Sequence, residues 1–233
     1  MLFQLEMLKN QEKIHADVIN AWSAVLNYQE QYRDVNSSGR FFFRCNAADC
    51  LFHYENDSAR ERNKMFYDVV KFEFSRTFIS NKDIDLYFFP VYESGHFYLV
   101  CFNTTIERGT IEVIDYKDGS KENKKFLKNL KSAFSYVMDG EGTIQSLVLS
   151  KQIKSTESVV IDVPWKSSDD AHLHCGVAMM RHMETYMGMQ KWNSGLKKNN
   201  HIIIEKLRLK YTLSIISSEV NIVEPVKQTV LKR

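Results

Sequence analysis

The chain has 233 residues, 44% of them apolar, and a formal charge of only +2. That length allows one large domain or two small ones around a sizeable core, and the near-neutral balance argues against a dedicated nucleic-acid surface. Four cysteines (Cys45, Cys50, Cys101 and Cys175) are too few and too scattered for a small disulfide-built scaffold, and no uncharged apolar run reaches the ~18 residues a membrane span needs.

The first ten residues lack the basic segment followed by an apolar one that marks a secretory leader. A soluble intracellular protein with reduced thiols is expected. Asp17 to Gln31 reads as a helix, because Val18, Ile19, Trp22, Val25 and Leu26 share one face and Asp17 suits the first turn. Asn36-Ser37-Ser38-Gly39 breaks it. Phe41-Phe42-Phe43 resumes as a short strand or a buried anchor. Cys45 and Cys50, with His53 close behind, have no well-placed fourth ligand for zinc, so two packing residues in a loop are expected there. Ser58 to Phe78 carries Met65, Phe66, Val69, Val70 and Phe74 on a second helix face.

The character then changes. Leu86 to Tyr92 is rich in β-formers and ends at Glu93-Ser94-Gly95. His96 to Phe102 is a second apolar run and Ile111 to Asp115 a third. These runs lack clean alternation, which points to strands covered on both faces. Asn123 to Met138 is a helix with Phe126, Leu127, Leu130, Phe134 and Val137 on one side. Ser158 to Val163 is a fourth strand, closed by Pro164. The loop Trp165 to His174 leads to Cys175, which opens a helix on which Val177, Met180, Met183 and Met187 recur at steps of three and four. Gly176 would let the backbone turn tightly into it, and Gly188 would stop it. Ile202 to Leu213 is helix-like, and Val220 to Arg233 is expected to fray. The fold class expected is α+β, with a central mixed sheet of four or five strands.

Nucleophilic cysteine chemistry needs a thiolate, an imidazole that takes and returns its proton, and a carboxylate that fixes the imidazole tautomer. Cys175 at a helix start, His96 at a strand start and Asp115 at a strand end supply those types. A thiol at a helix start also feels the positive end of the dipole, which favours the thiolate. The competing reading is a buried structural cysteine, since free cysteine is among the most buried residue types.

The order of these segments resembles the Ulp1-like (SUMO-protease) family of cysteine peptidases, over roughly Lys13 to Gly188. Asp17-Val18-Ile19-Asn20 is similar to the family's early helix. Phe89-Pro90-Val91-Tyr92 followed by His96-Phe97-Tyr98-Leu99-Val100 resembles its histidine strands, and Val113-Ile114-Asp115-Tyr116 its aspartate strand end. Val163-Pro164 followed by Cys175-Gly176-Val177 resembles its nucleophile segment, and Met180 to Tyr186 is similar to the version in plant members, many of them transposon-associated. The resemblance implies a papain-like cysteine protease fold of the Ulp1 type over a single domain, 1–233, with a helical lobe 1–80 and a sheet and nucleophile lobe 81–215.

It also implies that His96 is the general base, Asp115 its orienter and Cys175 the nucleophile. The reaction would cleave after the C-terminal glycine of a ubiquitin-like, SUMO-like modifier, with the Cys175 N–H helping to hold the oxyanion and Phe97 and Trp165 walling a substrate tunnel. For Trp165 a plain core aromatic is the stronger expectation. No cofactor or metal, no nucleic acid, no membrane and a monomeric state are expected, with nucleus or cytoplasm as the place. Two departures stand out. The family's oxyanion glutamine, about six residues before the cysteine, is Asp169 here. A carboxylate repels developing negative charge, and a loop-length difference would put Lys166 or Ser168 there instead. His174 stands where the family has aspartate; His172 and His174 flank the thiol, where partly protonated imidazoles would support a thiolate, and two solvent-exposed loop histidines are the stronger expectation. A catalytically impaired relative that only binds the modifier is the alternative.

Overall fold

The computed structural model describes residues 12–77, 79, 83–105, 109–117, 123–166, 171–189, 191–198 and 200–220. In chain order the elements are α1 (Ala16–Gln29) with a short 3-10 turn (Glu30–Tyr32), β1 (Arg40–Phe42), α2 (Cys45–His53), α3 (Ala59–Ser75), β2 (Leu86–Glu93), β3 (His96–Asn103), β4 (Thr110–Ile114), α4 (Lys124–Glu141), α5 (Ile144–Ser155), β5 (Ser158–Ile161), α6 (Ala171–Thr185) and α7 (His201–Ser217). The five strands form one mixed sheet in sequence order. β1 lies parallel to β2, β2–β3–β4 run antiparallel, and β5 lies parallel to β4.

The sheet is covered on both faces, and this explains the unbroken apolar runs. Leu86 and Phe88 of β2 and Phe97, Leu99 and Cys101 of β3 pack into one core with α1, α6 and α7. The alternate residues Tyr87, Phe89, Val91, Tyr98, Val100 and Phe102 pack into a second core with α2, α3 and α4. The helices of the first 80 residues are therefore shared between the two faces: α1 joins the face of α6, and α2 and α3 take the other. Strand alternation sends neighbouring apolar residues to opposite faces, and the described helices of this stretch follow both.

Side-chain bonds lock this arrangement. β1 is an edge strand, and the Asn27 side chain covers it by accepting from the Phe42 N–H at 2.9 Å and donating to the Phe42 carbonyl at 2.8 Å. Pro90 is tolerated in β2 because its nitrogen points to the side where β1 has already ended; the last bond there runs from the Phe43 N–H to the Phe88 carbonyl. The Trp22 indole donates to the Met180 carbonyl at 3.2 Å, tying α1 to α6. Ser58 and Glu61 form a reciprocal cap on α3, and Asn123 and Asn200 cap α4 and α7.

Two helices were not expected. α2 takes up the Cys45–His53 stretch read as a loop; it places Cys45 in one core and Cys50 in the other. α5 fills a stretch that carried no assignment. Among the described residues, no helix is long and apolar enough to cross a membrane.

Candidate active site

His96 owes its position to a tight hairpin. Ser94 and Gly95 both have positive φ, 48° and 82°, the two-residue turn whose twist matches paired strands. Glu93 and His96 flank it as register partners, so His96 is the first residue of β3. The Lys13 ammonium donates to the Gly95 carbonyl and pins the turn from outside. Asp115 follows the last residue of β4. Ile114 pairs with Leu99, so continuing that register sets Asp115 across from Tyr98, two residues along β3 from His96 and on the same face.

The two side chains meet there. His96 Nε2 lies 2.7 Å from Asp115 Oδ1. The same carboxylate oxygen accepts the Lys117 N–H at 2.9 Å, which fixes its direction. With Nε2 engaged by Asp115, the Nδ1 side of the ring remains open to the Cys175 thiol, which acts on the imidazole electrostatically. Burial pushes His96 down, but the hydrogen bonds and charges of Asp115 and Cys175 outweigh it and raise the ring from 6.5 to about 9. At neutral pH the imidazole is therefore held as a cation between a carboxylate and a sulfur.

Cys175 is 1% exposed. Its sulfur accepts the Phe97 N–H at 3.4 Å and faces the His172 carbonyl at 3.5 Å. The sequence reading put Cys175 at the helix start, but α6 begins at Ala171, so the cysteine is its fifth residue. Only the first N–H groups of a helix lack an intrahelical partner. The Cys175 N–H belongs to the ladder, so the oxyanion role given to it is not supported by this helix start. Gly176 is likewise a helical residue rather than a turn. Its absent side chain permits close approach, for a Cβ there would lie 3.1 Å from Ile14 Cβ and 3.4 Å from Phe97 Cδ2.

The remaining sequence-named residues separate. Phe97 is 1% exposed and packs against Tyr92 at 4.5 Å between ring centres. Trp165 is 4% exposed; its indole donates to His182 Nε2 at 3.0 Å, and it packs edge-on to Trp192. Both rings are buried: α6 packs over Phe97, whose N–H meets the Cys175 sulfur, and the buried His182 imidazole draws Trp165 inward. His182 is wholly buried and pushed down to about 3, first by burial, so it accepts the indole proton as a neutral ring. His172 and His174 are helical, the first exposed and the second buried against His201 at 3.3 Å. Lys166 reaches Asp162 at 3.2 Å. Asp169 and Ser168 lie outside the described residues, as does the 221–233 tail expected to fray.

One charged group was not singled out in the sequence. Arg208 of α7 is 2% exposed, and its Nη2 donates to the Leu173 carbonyl at 2.9 Å, two residues before Cys175. The signal was a single arginine on an apolar helix face with Ile204, Leu207, Tyr211 and Ile215. It lies beyond the stretch of resemblance.

No family model and no curated protein matches this chain. Solved structures do. A de-sumoylating protease superposes with a TM-score of 0.59 at 13% identity, covering 98% of this chain and 89% of that one. The C-terminal Ulp1 protease domain in complex with Smt3, the yeast ortholog of SUMO, superposes at 0.55 and 13%, covering 91% and 80%. The catalytic domain of the Ulp1-like SUMO protease of Chaetomium thermophilum gives 0.53 and 11%, covering 87% and 70%. Identities this low speak for architecture alone, and the mixed sheet with its helices on both faces has the fold of the Ulp1-like SUMO proteases.

Proposed function

We propose that this chain is a cysteine peptidase of the Ulp1 type that cleaves after the C-terminal glycine of a SUMO-like modifier. The observation that carries this reading is the 2.7 Å His96–Asp115 contact beside the buried Cys175 sulfur. The fold shared with SUMO proteases, one of them solved with a SUMO ortholog, supports the substrate class. The Cys175 thiolate attacks the terminal glycine carbonyl carbon and forms a C–S bond. As the tetrahedral adduct collapses, the C–N bond breaks and His96 gives its proton to the departing amine. Water then adds to the thioester carbonyl while His96 takes its proton, the second tetrahedral adduct collapses by breaking the C–S bond so that the electron pair returns to the Cys175 sulfur, and the modifier leaves as a carboxylate. Asp115 holds the ring throughout. A nucleophile only 1% exposed suits a thin glycine tail, whose lack of side chains allows deep entry, better than a folded loop.

A second reading, binding without efficient cleavage, is favoured by the oxyanion side. Asp169 replaces a donor glutamine, and the Cys175 N–H is spent in the helix. Loss of one such donor typically costs about 10²–10³ in rate. An electrophilic C-terminal probe of a SUMO-like modifier distinguishes the two readings. Labelling that disappears in both Cys175→Ala and His96→Ala establishes the peptidase. Tight probe binding with no adduct, and an adduct gained on Asp169→Gln, would establish the impaired relative.

A further inference from the structure

Lys13 stands three residues ahead of α1 and is half-buried, although a lysine ordinarily leaves its ammonium in water. That ammonium serves two partners. It donates to the Gly95 carbonyl, and it lies 5.2 Å from the centre of the Tyr92 ring. The Gly95 carbonyl belongs to the two-residue turn between Glu93 and His96, whose central residues take no part in the strand ladder, so it is open to an outside donor. It is also joined directly to the His96 nitrogen. Holding it fixes the peptide plane from which His96 departs toward Asp115. Tyr92 packs against Phe97 at 4.5 Å between ring centres, and the Phe97 N–H points at the Cys175 sulfur at 3.4 Å.

The backbone of Lys13 has a firm base on the other side of the site. Ile14 is buried against Gly176, the residue after Cys175, where a Cβ would lie 3.1 Å from Ile14 Cβ. The contacts therefore run from Cys175 and Gly176 through Ile14 and Lys13 to Gly95 and His96, each end one residue from a reacting side chain. The far strand of the hairpin is tied independently. Glu93 accepts from the Tyr98 hydroxyl at 2.8 Å and from the Asn123 side chain at 2.5 Å, and Asn123 caps α4. With that side fixed to α4, the remaining freedom of the hairpin end is its distance from α6, which is what Lys13 spans. We propose that Lys13 is a positioning residue that sets the spacing of His96 from Cys175. Its effect on rate rests on the peptidase reading, whereas its effect on the placement of His96 does not.

The test is Lys13→Met on the full chain, which keeps the apolar stem and removes donor and charge. Lys13 belongs to neither core, so the fold tolerates the change. With a fluorogenic C-terminal derivative of a SUMO-like modifier, kcat should fall about tenfold and KM stay within about twofold, because a misplaced reacting group loses rate rather than binding. Lys13→Arg still reaches a carbonyl and a ring face and should bring kcat back to within about threefold of wild type. Equal losses in Lys13→Met and Lys13→Arg overturn the proposal, as does a raised KM with kcat unchanged. A second measurement needs no turnover. The His96 Cε1–H signal, followed by NMR at neutral pH, should shift and broaden in Lys13→Met as the ring samples more than one position, and should return in Lys13→Arg; an unchanged signal in Lys13→Met overturns the proposal. A wild-type chain that leaves the modifier derivative intact would sink the peptidase reading, and the His96 signal would then decide this proposal alone.

Discussion

Asp115→Asn keeps the shape of the carboxylate and removes its charge. In the wild type His96 stands at about 9 rather than 6.5, because its bonds and charges to Asp115 and Cys175 overcome burial. That displacement amounts to roughly 3 kcal/mol in favour of the protonated ring, at about 1.4 kcal/mol per pH unit. The His96 side chain is 16% exposed and Asp115 5%, so water screens little of it. With an amide in place of the carboxylate, burial remains and the main opposing charge is gone, so the ring should fall by at least about 1.5 pH units. The assay is the His96 ring proton followed by NMR between about pH 5 and about pH 10. A wild-type midpoint below about 7, or an unchanged midpoint in Asp115→Asn, refutes the reasoning. Stability follows with a definite sign. His96 is raised on folding, so its contribution is complete below 6.5 and is lost as pH climbs through about 9. Urea unfolding at about pH 6 and about pH 10 should show wild type losing up to about 3 kcal/mol more than Asp115→Asn.

Two substitutions test the frame around the site. Gly176→Ala gains about 1 kcal/mol of helix propensity but pushes a methyl to 3.1 Å from Ile14 Cβ, where overpacking costs about 1–3 kcal/mol. A net loss near 1 kcal/mol in urea unfolding, with slower Cys175 alkylation, is expected; a more stable variant would show that the approach of α6 is not tight. Glu112 is buried and accepts from Asn103 at 3.0 Å, Thr110 at 2.9 Å and the Tyr186 hydroxyl at 2.7 Å. Glu112→Ala strands those donors and should cost about 2–4 kcal/mol in chemical unfolding, and a loss under about 1 kcal/mol would mean the network contributes little.

Much of the architecture was legible because the apolar runs at Leu86, His96, Ile111 and Ser158 are short, β-rich and punctuated. Their lack of alternation signalled helices on both faces, which the two cores show. α2 was hidden because Arg44 precedes it without any side-chain cap and its nine residues are too few for a periodic signature. α5 was hidden for another reason. It exposes Ile144, Leu147 and Val148, so its apolar residues do not trace the buried face. The start of α6 was not legible because Ala-His-Leu-His before the cysteine offers no periodicity of its own. His96 and Asp115 could be named from the sequence because each stands at the edge of a recognisable strand, and Cys175 because it precedes the periodic apolar face of its helix. Arg208 could not, because only the packing of α7 against α6 gives a lone arginine its neighbour. Phe97 and Trp165 were ambiguous in the sequence, and only burial separates a groove wall from a core ring.

The three-stranded meander β2–β3–β4 has a kinetic consequence. His96 and Asp115 are 19 residues apart in sequence and joined by adjacent antiparallel strands, so their encounter closes a short loop. Cys175 meets Phe97 across 78 residues, with α4, α5 and β5 in between. The imidazole–carboxylate half of the site is thus a low-contact-order unit, and the sulfur joins by a long-range closure that needs α6 in place. A newly made or partly opened chain brings His96 and Asp115 together without the Cys175 sulfur beside them, which ties assembly of the candidate site to completion of the fold.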